Sequence, residues 1–291
     1  MSAKPDDAGA GTPQGAGAFG MGRDLAPRFA AAIVMGAAAL VVAWLGGFVF
    51  VAFWWVAAVV LLWEWQRIVG NGRLIARVVT GGILLVGAAL MGLHNYPLSA
   101  LAALAVAAVA VGFVAAQDRI WAGGGALYAG APVVSLSLLR ASPAYGLPAI
   151  LWLFAIVWGA DVAAYFAGRA IGGPRLWPRV SPGKTWAGAV AGAVAGGALG
   201  LAVSLILVPG QIRIEQVFLL GLAAAVVSEL GDLFESAVKR RFGVKDSSRL
   251  IPGHGGLMDR LDSFIAASIF AAVVAAANSR GSFIASGLFQ W

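Results

Sequence analysis

The sequence predicts an all-α integral membrane protein, a polytopic bundle of about nine transmembrane helices with its N-terminus in the cytoplasm. Two features of composition carry this prediction: 60% of the 291 residues are hydrophobic, and only 11% are charged. Soluble domains have about 25% charged residues, so this chain lacks the charge to cover a water-facing surface. Long apolar runs also follow one another along the chain, each close to the roughly 20 residues that cross a bilayer core.

Turn-forming residues between the apolar runs separate the predicted spans. Gly46 and Gly47 separate the first run from the second, and Asn95, Tyr96 and Pro97 separate the third from the fourth. The 40 glycines suit close packing of helices through small residues. The predicted spans are 29–45, 48–63, 78–93, 98–116, 122–139, 147–167, 186–208, 214–233 and 263–279.

Three regions follow from this layout. Residues 1–27 are rich in Gly, Ala, Pro and Asp and have no apolar periodicity, which is typical of a disordered tail. Residues 28–145 form the N-terminal transmembrane helices. Residues 146–291 form the C-terminal transmembrane region, which holds the motifs described below and is therefore expected to carry the chemistry.

The basic residues predict the orientation in the membrane. With the N-terminus in the cytoplasm, 17 of the 20 Lys and Arg residues fall on the cytoplasmic side, and only Arg140, Arg213 and Arg280 fall on the other. This asymmetry is what the positive-inside rule predicts. The two largest loops, 168–185 and 234–262, are both on the cytoplasmic side. The net charge of +7 therefore fits cytoplasmic loops near anionic lipids, and no nucleic-acid partner is expected.

The composition also excludes several kinds of site. The chain has no cysteine, so disulfides, Cys-ligated zinc and thiol nucleophiles are excluded. Its two histidines, His94 and His254, are too few for a His-rich metal site. We interpret His94 as a surface residue of an outer turn. Glu64, between Trp63 and Trp65, is interpreted as an interfacial residue of an aromatic belt.

A polar stripe emerges from the eighth predicted span. Glu229, Asp232, Ser236 and Lys239 follow at spacings of three, four and three, so on a helix they share one face. An ionised residue at the bilayer centre costs about 2.5–3.5 kcal/mol on insertion scales, so this face should not meet lipid. The stripe by itself is equally consistent with a wet cavity, a cation site or an interhelical ion-pair network.

A polar segment then joins this stripe to the last span. One proline and three glycines should keep it non-helical as far as Gly256, with backbone N–H groups free to meet an anion. Asp259 and Asp262 open the last span on one helix face. Asp232 and Asp259 thus lie at the cytoplasmic ends of two antiparallel helices, where carboxylates repel unless a cation joins them. Magnesium commonly uses one or two carboxylates plus substrate phosphates.

The segment 236–262 carries a recognisable pattern. It reads Ser-Ala-Val-Lys-Arg from Ser236, then Lys245-Asp246, then Pro-Gly-His-Gly-Gly-Leu-Met-Asp-Arg-Leu-Asp at 252–262. This pattern resembles the signature of the phosphatidate cytidylyltransferase family, with the fixed positions present at the right spacing. The preceding Gly-Asp-Leu-Phe-Glu at 231–235 is also similar to the family.

A second block supports the resemblance. Asp161, Tyr165 and Arg169 fall four apart, as a polar stripe at the cytoplasmic end of the sixth span. Residues 181–188 read Ser-Pro-Gly-Lys-Thr-Trp-Ala-Gly and resemble the Ser-Pro-x-Lys-Thr-Trp-Glu-Gly of the family, with Ala187 where the family usually has Glu. Taken alone, this is a helix-capping loop that offers hydroxyls, N–H groups and an ammonium to a phosphate. It lacks the Gly-x4-Gly-Lys spacing of a P-loop.

The resemblance implies an enzyme that transfers a cytidylyl group from CTP to phosphatidate, giving CDP-diacylglycerol and pyrophosphate. The implied location is the inner (cytoplasmic) membrane, with the active site facing the cytoplasm. The implied partners are CTP, phosphatidate and membrane lipids, and a homodimer stays open. The implied cofactor is Mg²⁺, and a second cation also stays open.

The expected metal ligands are Asp232, Asp259 and Asp262. The expected catalytic residues are Asp232, Lys239, Arg240, Lys245, Asp246, His254, Asp259 and Arg260. The expected substrate-binding residues are Asp161, Arg169, Ser181, Lys184, Thr185, Ser236, Gly255 and Gly256.

The roles within this set follow from charge. Neutralisation of CTP and pyrophosphate is expected from Lys239, Arg240, Lys245 and Arg260. His254 is expected to contact a phosphate or the cytosine. The lipid phosphate is expected to contact Ser181, Lys184 and Thr185. Diacylglycerol tails are expected to enter sideways between helices.

Two alternatives stay open: another CTP-using lipid enzyme such as a polyprenol kinase, and a secondary transporter of an anionic solute. Buried carboxylates and broken helices fit a transporter, but the charges cluster at one membrane face.

Overall fold

The computed structural model describes residues 25–70, 72–208, 210, 212–251 and 255–290, with side chains from Ala32 onward. A hairpin of two antiparallel strands, β1 (Arg175–Trp177) and β2 (Ser181–Thr185), precedes the seventh helix, and a short 3₁₀ helix, Ile284–Leu288, ends the described chain. The helices are α1 (Leu25–Leu45), α2 (Gly47–Val69), α3 (Leu74–Leu93), α4 (Pro97–Val114), α5 (Arg119–Arg140), α6 (Gly146–Ala170), α7 (Trp186–Leu207), α8 (Ile214–Arg241) and α9 (Met258–Asn278).

Eight of these helices, α2 to α9, are long and apolar enough to cross a membrane. The described side chains of α1, residues 32–45, form a shorter apolar stretch. The chain is therefore a polytopic all-α membrane protein, and the predicted fold class is confirmed. The predicted tail lies outside the described residues, except for residues 25–27, which begin α1.

Helices α2, α8 and α9 extend furthest beyond their predicted spans, each at an end that carries charge. Helix α2 continues to Val69, α8 continues to Arg241, and α9 already begins at Met258. A hydropathy window ends at the first charged residues. A helix continues as long as its polar side chains find partners or water, because its backbone hydrogen bonds are satisfied internally. Glu64 and the polar stripe of α8 therefore lie within helices and not in loops.

Small residues let α6 and α7 approach closely. A Cβ placed on Gly188 would lie 2.8 Å from the carbonyl oxygen of Ala164, and one on Gly192 would lie 3.0 Å from that of Ala160. Glycine at these positions removes the side chain that would hold the two backbones apart. The close approach brings the first turn of α7 against the end of α6 that carries Asp161 and Arg169.

The two motif segments meet at one end of the bundle, which we call the motif face. It is formed by the C-terminal end of α6, the hairpin, the first turn of α7, the C-terminal half of α8 and the first turns of α9. Helices α2 and α5, from the N-terminal half, pack against α9 and complete it. The hairpin was not predicted, since 181–185 was interpreted as a loop.

Candidate active site

A polar cavity of about 680 Å³ opens on the motif face between α6, the hairpin, α7 and α8. Asp161 and Arg169 line it from α6, Lys184 from the hairpin, and Glu229 and Asp232 from α8. The block that contains Asp161 and Lys184 therefore shares one chamber with Glu229 and Asp232 of α8, although the whole of α7 separates them along the chain. A chamber with basic and acidic groups on facing walls can hold a polyanion together with a cation.

Lys184 joins the two walls. Its Nζ lies 2.9 Å from Oε1 of Glu229 and 2.6 Å from Oδ2 of Asp232. Burial by itself lowers the pKa of Lys184, but the charges of Asp232 and Glu229 outweigh it and raise the pKa above its usual value. The side chain of Thr185 accepts a hydrogen bond from the N–H of Gly188 at 3.1 Å and caps α7, which orients the end of the hairpin.

Lys239 makes a second bridge, between α8 and α9. Its Nζ lies 2.7 Å from Oε2 of Glu235, one helical turn earlier, and 2.6 Å from Oδ1 of Asp259. The lysine is buried. Its charge is therefore engaged by the protein's own carboxylates, and the predicted role in neutralising CTP would require it to exchange partners.

Asp259 organises the loop that precedes α9. Its Oδ2 accepts hydrogen bonds from the N–H of Ser247 at 3.0 Å, from Oγ of Ser247 at 3.0 Å and from the N–H of Gly256 at 2.8 Å. Gly255 has a φ of +83°, and a Cβ there would lie 2.6 Å from the same oxygen. Only glycine adopts this conformation without strain. In the structure, Gly255 and Gly256 thus shape the loop around Asp259.

Three carboxylates gather next to the cavity. Asp232, Glu235 and Asp262 each place an oxygen within 4.8 Å of the other two. Glu235 is fully buried, and the other two are partly exposed. Carboxylates this close repel one another unless a cation joins them. Two or three carboxylates with open positions for phosphate oxygens fit the ligands of a magnesium ion.

This cluster differs from the predicted ligand set in one member. From the sequence we expected Asp259 to join Asp232 and Asp262, whereas in the structure Glu235 joins them. Asp259 is turned towards Lys239 and the loop, and a direct metal contact from it stays a prediction. Glu235 lies three residues after Asp232 and four before Lys239, and this helical spacing is the signal that could have identified it.

An apolar groove of about 480 Å³ adjoins the polar cavity. Helices α1, α2, α6 and α9 form its walls, with Phe53, Trp54, Trp158 and Phe264 among the aromatic residues that line it. Asp161 lines both the groove and the polar cavity. Asp161 therefore stands between a charged chamber and an apolar groove formed by membrane-spanning helices.

Comparison of the sequence with known proteins identifies a family of membrane enzymes. The cytidylyltransferase family profile matches residues 26–277, which is most of the chain. The chain belongs to this family. A phosphatidate cytidylyltransferase of Brucella suis is 42% identical over 249 residues, which cover 84% of this chain and 91% of the relative. One of Pseudomonas aeruginosa is 40% identical over 257 residues, covering 80% and 93%. The resemblance predicted from the two motif blocks is thereby confirmed.

Only some of the remaining predicted site residues of this cytidylyltransferase line the cavity. Ser236 donates to Oδ1 of Asp232 at 3.4 Å, and Arg169 donates to the hydroxyl of Tyr165 at 3.4 Å. Ser181 pairs with Trp177 at the far end of the hairpin and is not among the residues that line the cavity. The exposed predicted residues of the 240–260 region are Arg240, Lys245, Asp246 and Arg260. His254 lies outside the described residues.

The interpretation of Glu64 as an interfacial residue is wrong. Glu64 is fully buried, and its carboxylate accepts hydrogen bonds from Oγ of Ser248 and from the N–H groups of Leu257 and Met258. We placed Glu64 at the end of a span because a charged residue lowers the mean hydropathy, and the predicted span ends where the mean hydropathy falls. The structure continues α2 past it, so the side chain points into the protein.

Proposed function

We propose that the chain transfers a cytidylyl group from CTP to phosphatidate, giving CDP-diacylglycerol and pyrophosphate. The relatives that cover most of the chain are named phosphatidate cytidylyltransferase, and the chain shares their family. The observation that carries the proposal is the junction at Asp161, where the polar cavity meets the apolar groove. A reaction between a water-soluble nucleotide and a membrane lipid needs such a junction.

The lipid substrate fits this geometry in two parts. Its phosphate would lie in the chamber near Lys184 and Arg169, and one acyl chain would lie along the groove between Trp54, Phe264 and Trp158. An acyl chain that moves from the bilayer into an apolar groove gains little hydrophobic free energy, because both surroundings are apolar. The groove therefore serves to hold the chain in place, with the lipid phosphate at the chamber.

The chemical step needs little acid–base help. A phosphate oxygen of phosphatidate attacks the α-phosphorus of CTP, the new P–O bond forms, and the bond from the α-phosphorus to the bridging β-oxygen breaks. Pyrophosphate leaves with that electron pair. Because the attacking oxygen is already anionic near neutral pH, the main task of the protein is to bring two polyanions together and to stabilise charge.

Cationic groups of the chain would perform this task. Lys184 and Arg169 line the chamber, although Lys184 also bridges Glu229 and Asp232. Lys239 bridges Glu235 and Asp259 and is not among the lining residues. We propose that Lys184 contacts a phosphate and that Lys239 holds the carboxylates of α8 and α9 in place. The exposed basic residues Lys245 and Arg240 are placed to attract CTP.

A divalent cation, Mg²⁺ in this proposal, would be held by Asp232, Glu235 and Asp262. When bound, it would neutralise phosphate charge and polarise the phosphoryl group. Asp232, Glu235 and Asp262 each place a carboxylate oxygen within 4.8 Å of the other two. This close approach of three carboxylates is the feature of the structure that favours a bound cation.

The proposed location is the inner membrane, with the motif face towards the cytoplasm, where CTP is found. The concentration of Lys and Arg in the segments of the motif face supports this orientation. A homodimer stays a prediction.

The test is product formation by the purified full-length protein. Phosphatidate in mixed micelles, labelled CTP and magnesium should give CDP-diacylglycerol and an equal amount of pyrophosphate, and EDTA should abolish both. Absence of product from protein shown to be folded would reject the proposal. In that case, labelled CTP incubated with a polyprenol acceptor and uptake of anionic solutes into proteoliposomes would test the two alternatives.

A further inference from the structure

Glu64 is a buried carboxylate in a part of the chain that carries no motif. It lies on α2, in the N-terminal half, with fully buried Leu61, Leu62 and Trp65 beside it in the helix. A buried charge is costly unless its hydrogen-bonding capacity is satisfied. An ionisable residue within a membrane span is therefore a candidate for a role at a functional site.

The partners of Glu64 are the two ends of the loop that precedes α9. Its Oε1 accepts from Oγ of Ser248 at 2.6 Å and from the N–H of Leu257 at 2.9 Å, and its Oε2 accepts from the N–H of Met258 at 2.6 Å. Residue 257 is the N-cap of α9 and makes no capping hydrogen bond with its own side chain. Glu64 thus caps α9 from another helix, where a negative charge also complements the helix dipole.

The same loop holds Asp259 from its other side. Ser248 donates to Glu64, and its neighbour Ser247 donates to Asp259. Gly256 donates to Asp259, and a Cβ on Gly256 would collide with both Ser247 Oγ and Glu64 Oε1. Glu64 and Asp259 therefore both hydrogen-bond to this loop, from opposite sides. A displacement of Glu64 would also move the first turn of α9, because Met258 donates to Glu64.

We propose that Glu64 is a positioning residue for cytidylyl transfer. It fixes Ser248 and the start of α9, and so sets where Asp259 and Asp262 stand relative to Asp232 on α8. Glu64 itself touches no reacting atom. This inference rests on the proposed function, because two of its readouts measure that reaction.

Glu64→Gln is the first test. The substitution keeps the shape and one acceptor oxygen, but the amide NH₂ then faces either the N–H of Met258 or the donors of Ser248 and Leu257. Loss of a partner that orients a metal-site residue typically reduces metal affinity or activity about 10- to 100-fold. We expect kcat to fall within that range of about 10- to 100-fold, with the magnesium requirement shifted to higher concentration and with KM for CTP changed far less. Ser248→Ala removes a single donor and should give a smaller loss in the same direction.

Gln66→Leu is the matched control. Gln66 is fully buried two residues further along α2, and its side-chain NH₂ donates to the carbonyl oxygen of Ala122 at 2.8 Å, on α5. The control removes a buried hydrogen bond from the same helix without touching the loop. We expect it to lower the unfolding temperature in detergent while kcat and the magnesium dependence stay near those of the wild type.

Hydrogen–deuterium exchange supplies a readout that does not depend on catalysis. Exchange of amides 247–261 in the unliganded protein should rise in Glu64→Gln and should not rise in Gln66→Leu.

If the wild type forms no CDP-diacylglycerol, the proposed function fails, and the exchange result still decides whether Glu64 orders the loop. Wild-type kcat in Glu64→Gln, unchanged exchange of 247–261, or an equal loss of kcat in Gln66→Leu would each overturn the inference. If Glu64→Gln does not fold, Ser248→Ala is measured in its place, with the same outcomes.

Discussion

Asp259→Asn removes one charge from the most densely hydrogen-bonded carboxylate of the motif face. Oδ1 of Asp259 lies 2.6 Å from Nζ of Lys239, and Oδ2 accepts three hydrogen bonds from Ser247 and Gly256. An asparagine can place its oxygen on only one of these two sides. Its NH₂ then faces either the lysine ammonium or the N–H groups of the loop, so donors oppose each other whichever way the amide is turned.

The size of the effect follows from these contacts. A hydrogen bond to a charged group contributes about 1.5–3 kcal/mol, and the substitution loses at least one such bond. At a factor of ten per 1.4 kcal/mol, this corresponds to a loss of at least about 10- to 150-fold in the population of the correctly ordered loop. If the amide nitrogen takes the place of Oδ2, the hydrogen bonds from the N–H groups of Ser247 and Gly256 are lost together, and the remaining activity is then expected to be close to zero. Lys239 would retain Glu235, so the protein should still be expressed and folded.

The assay is CDP-diacylglycerol formation from labelled CTP over a magnesium titration. Glu215→Gln is the control, because Glu215 is an exposed acid in the first turn of α8, at the end of that helix away from the motif face. If Asp259 only anchors the loop, kcat falls and the magnesium midpoint rises about as far as in Glu64→Gln, because both side chains position the start of α9. A rise clearly larger than in Glu64→Gln would indicate that Asp259 also binds the metal. Activity of Asp259→Asn equal to that of Glu215→Gln would refute the reasoning.

The remaining predictions concern the ion pairs, the carboxylate cluster and the groove. Lys184→Met should lower the unfolding temperature in detergent, because Glu229 and Asp232 lose their shared cation. The pKa of Lys184 is raised in the folded state, so its contribution to stability is fully present below the ordinary lysine pKa of about 10.4 and is lost as the pH rises through the raised value. A stability difference between wild type and Lys184→Met that disappears below pH 10 would contradict this. Asp262→Asn should raise the magnesium concentration needed for half-maximal activity by about 10-fold or more, and an unchanged midpoint in the same titration would exclude Asp262 as a ligand. Gly36→Leu should narrow the groove near Trp158 and raise KM for long-chain phosphatidate more than for a short-chain analogue, whereas Gly87→Leu, at a position with open space around it, should alter neither.

The spans and the chemistry-bearing residues could be predicted from the sequence because each depends on short stretches of chain. A helix that crosses a bilayer must be apolar over about 20 residues, and this requirement is visible without knowledge of its neighbours. The turn of Asn95, Tyr96 and Pro97 and the glycine pair at 46–47 appear in the structure where they were predicted. The 27-residue segment 236–262 also pointed to the family by itself, since its polar residues are specified at fixed spacings.

The partners of those residues were decided only by the tertiary structure. Glu64 had no local signal for its role, because the three groups that it accepts from lie more than 180 residues later in the chain. Glu235 joined Asp232 and Asp262, and Asp259 turned to Lys239, because the crossing of α8 and α9 sets which carboxylates face each other. The groove beside Asp161 likewise exists only where α1, α2, α6 and α9 come together. Hydropathy and spacing describe one helix at a time, whereas a binding site is made of distances between helices, and those are set by how the helices pack.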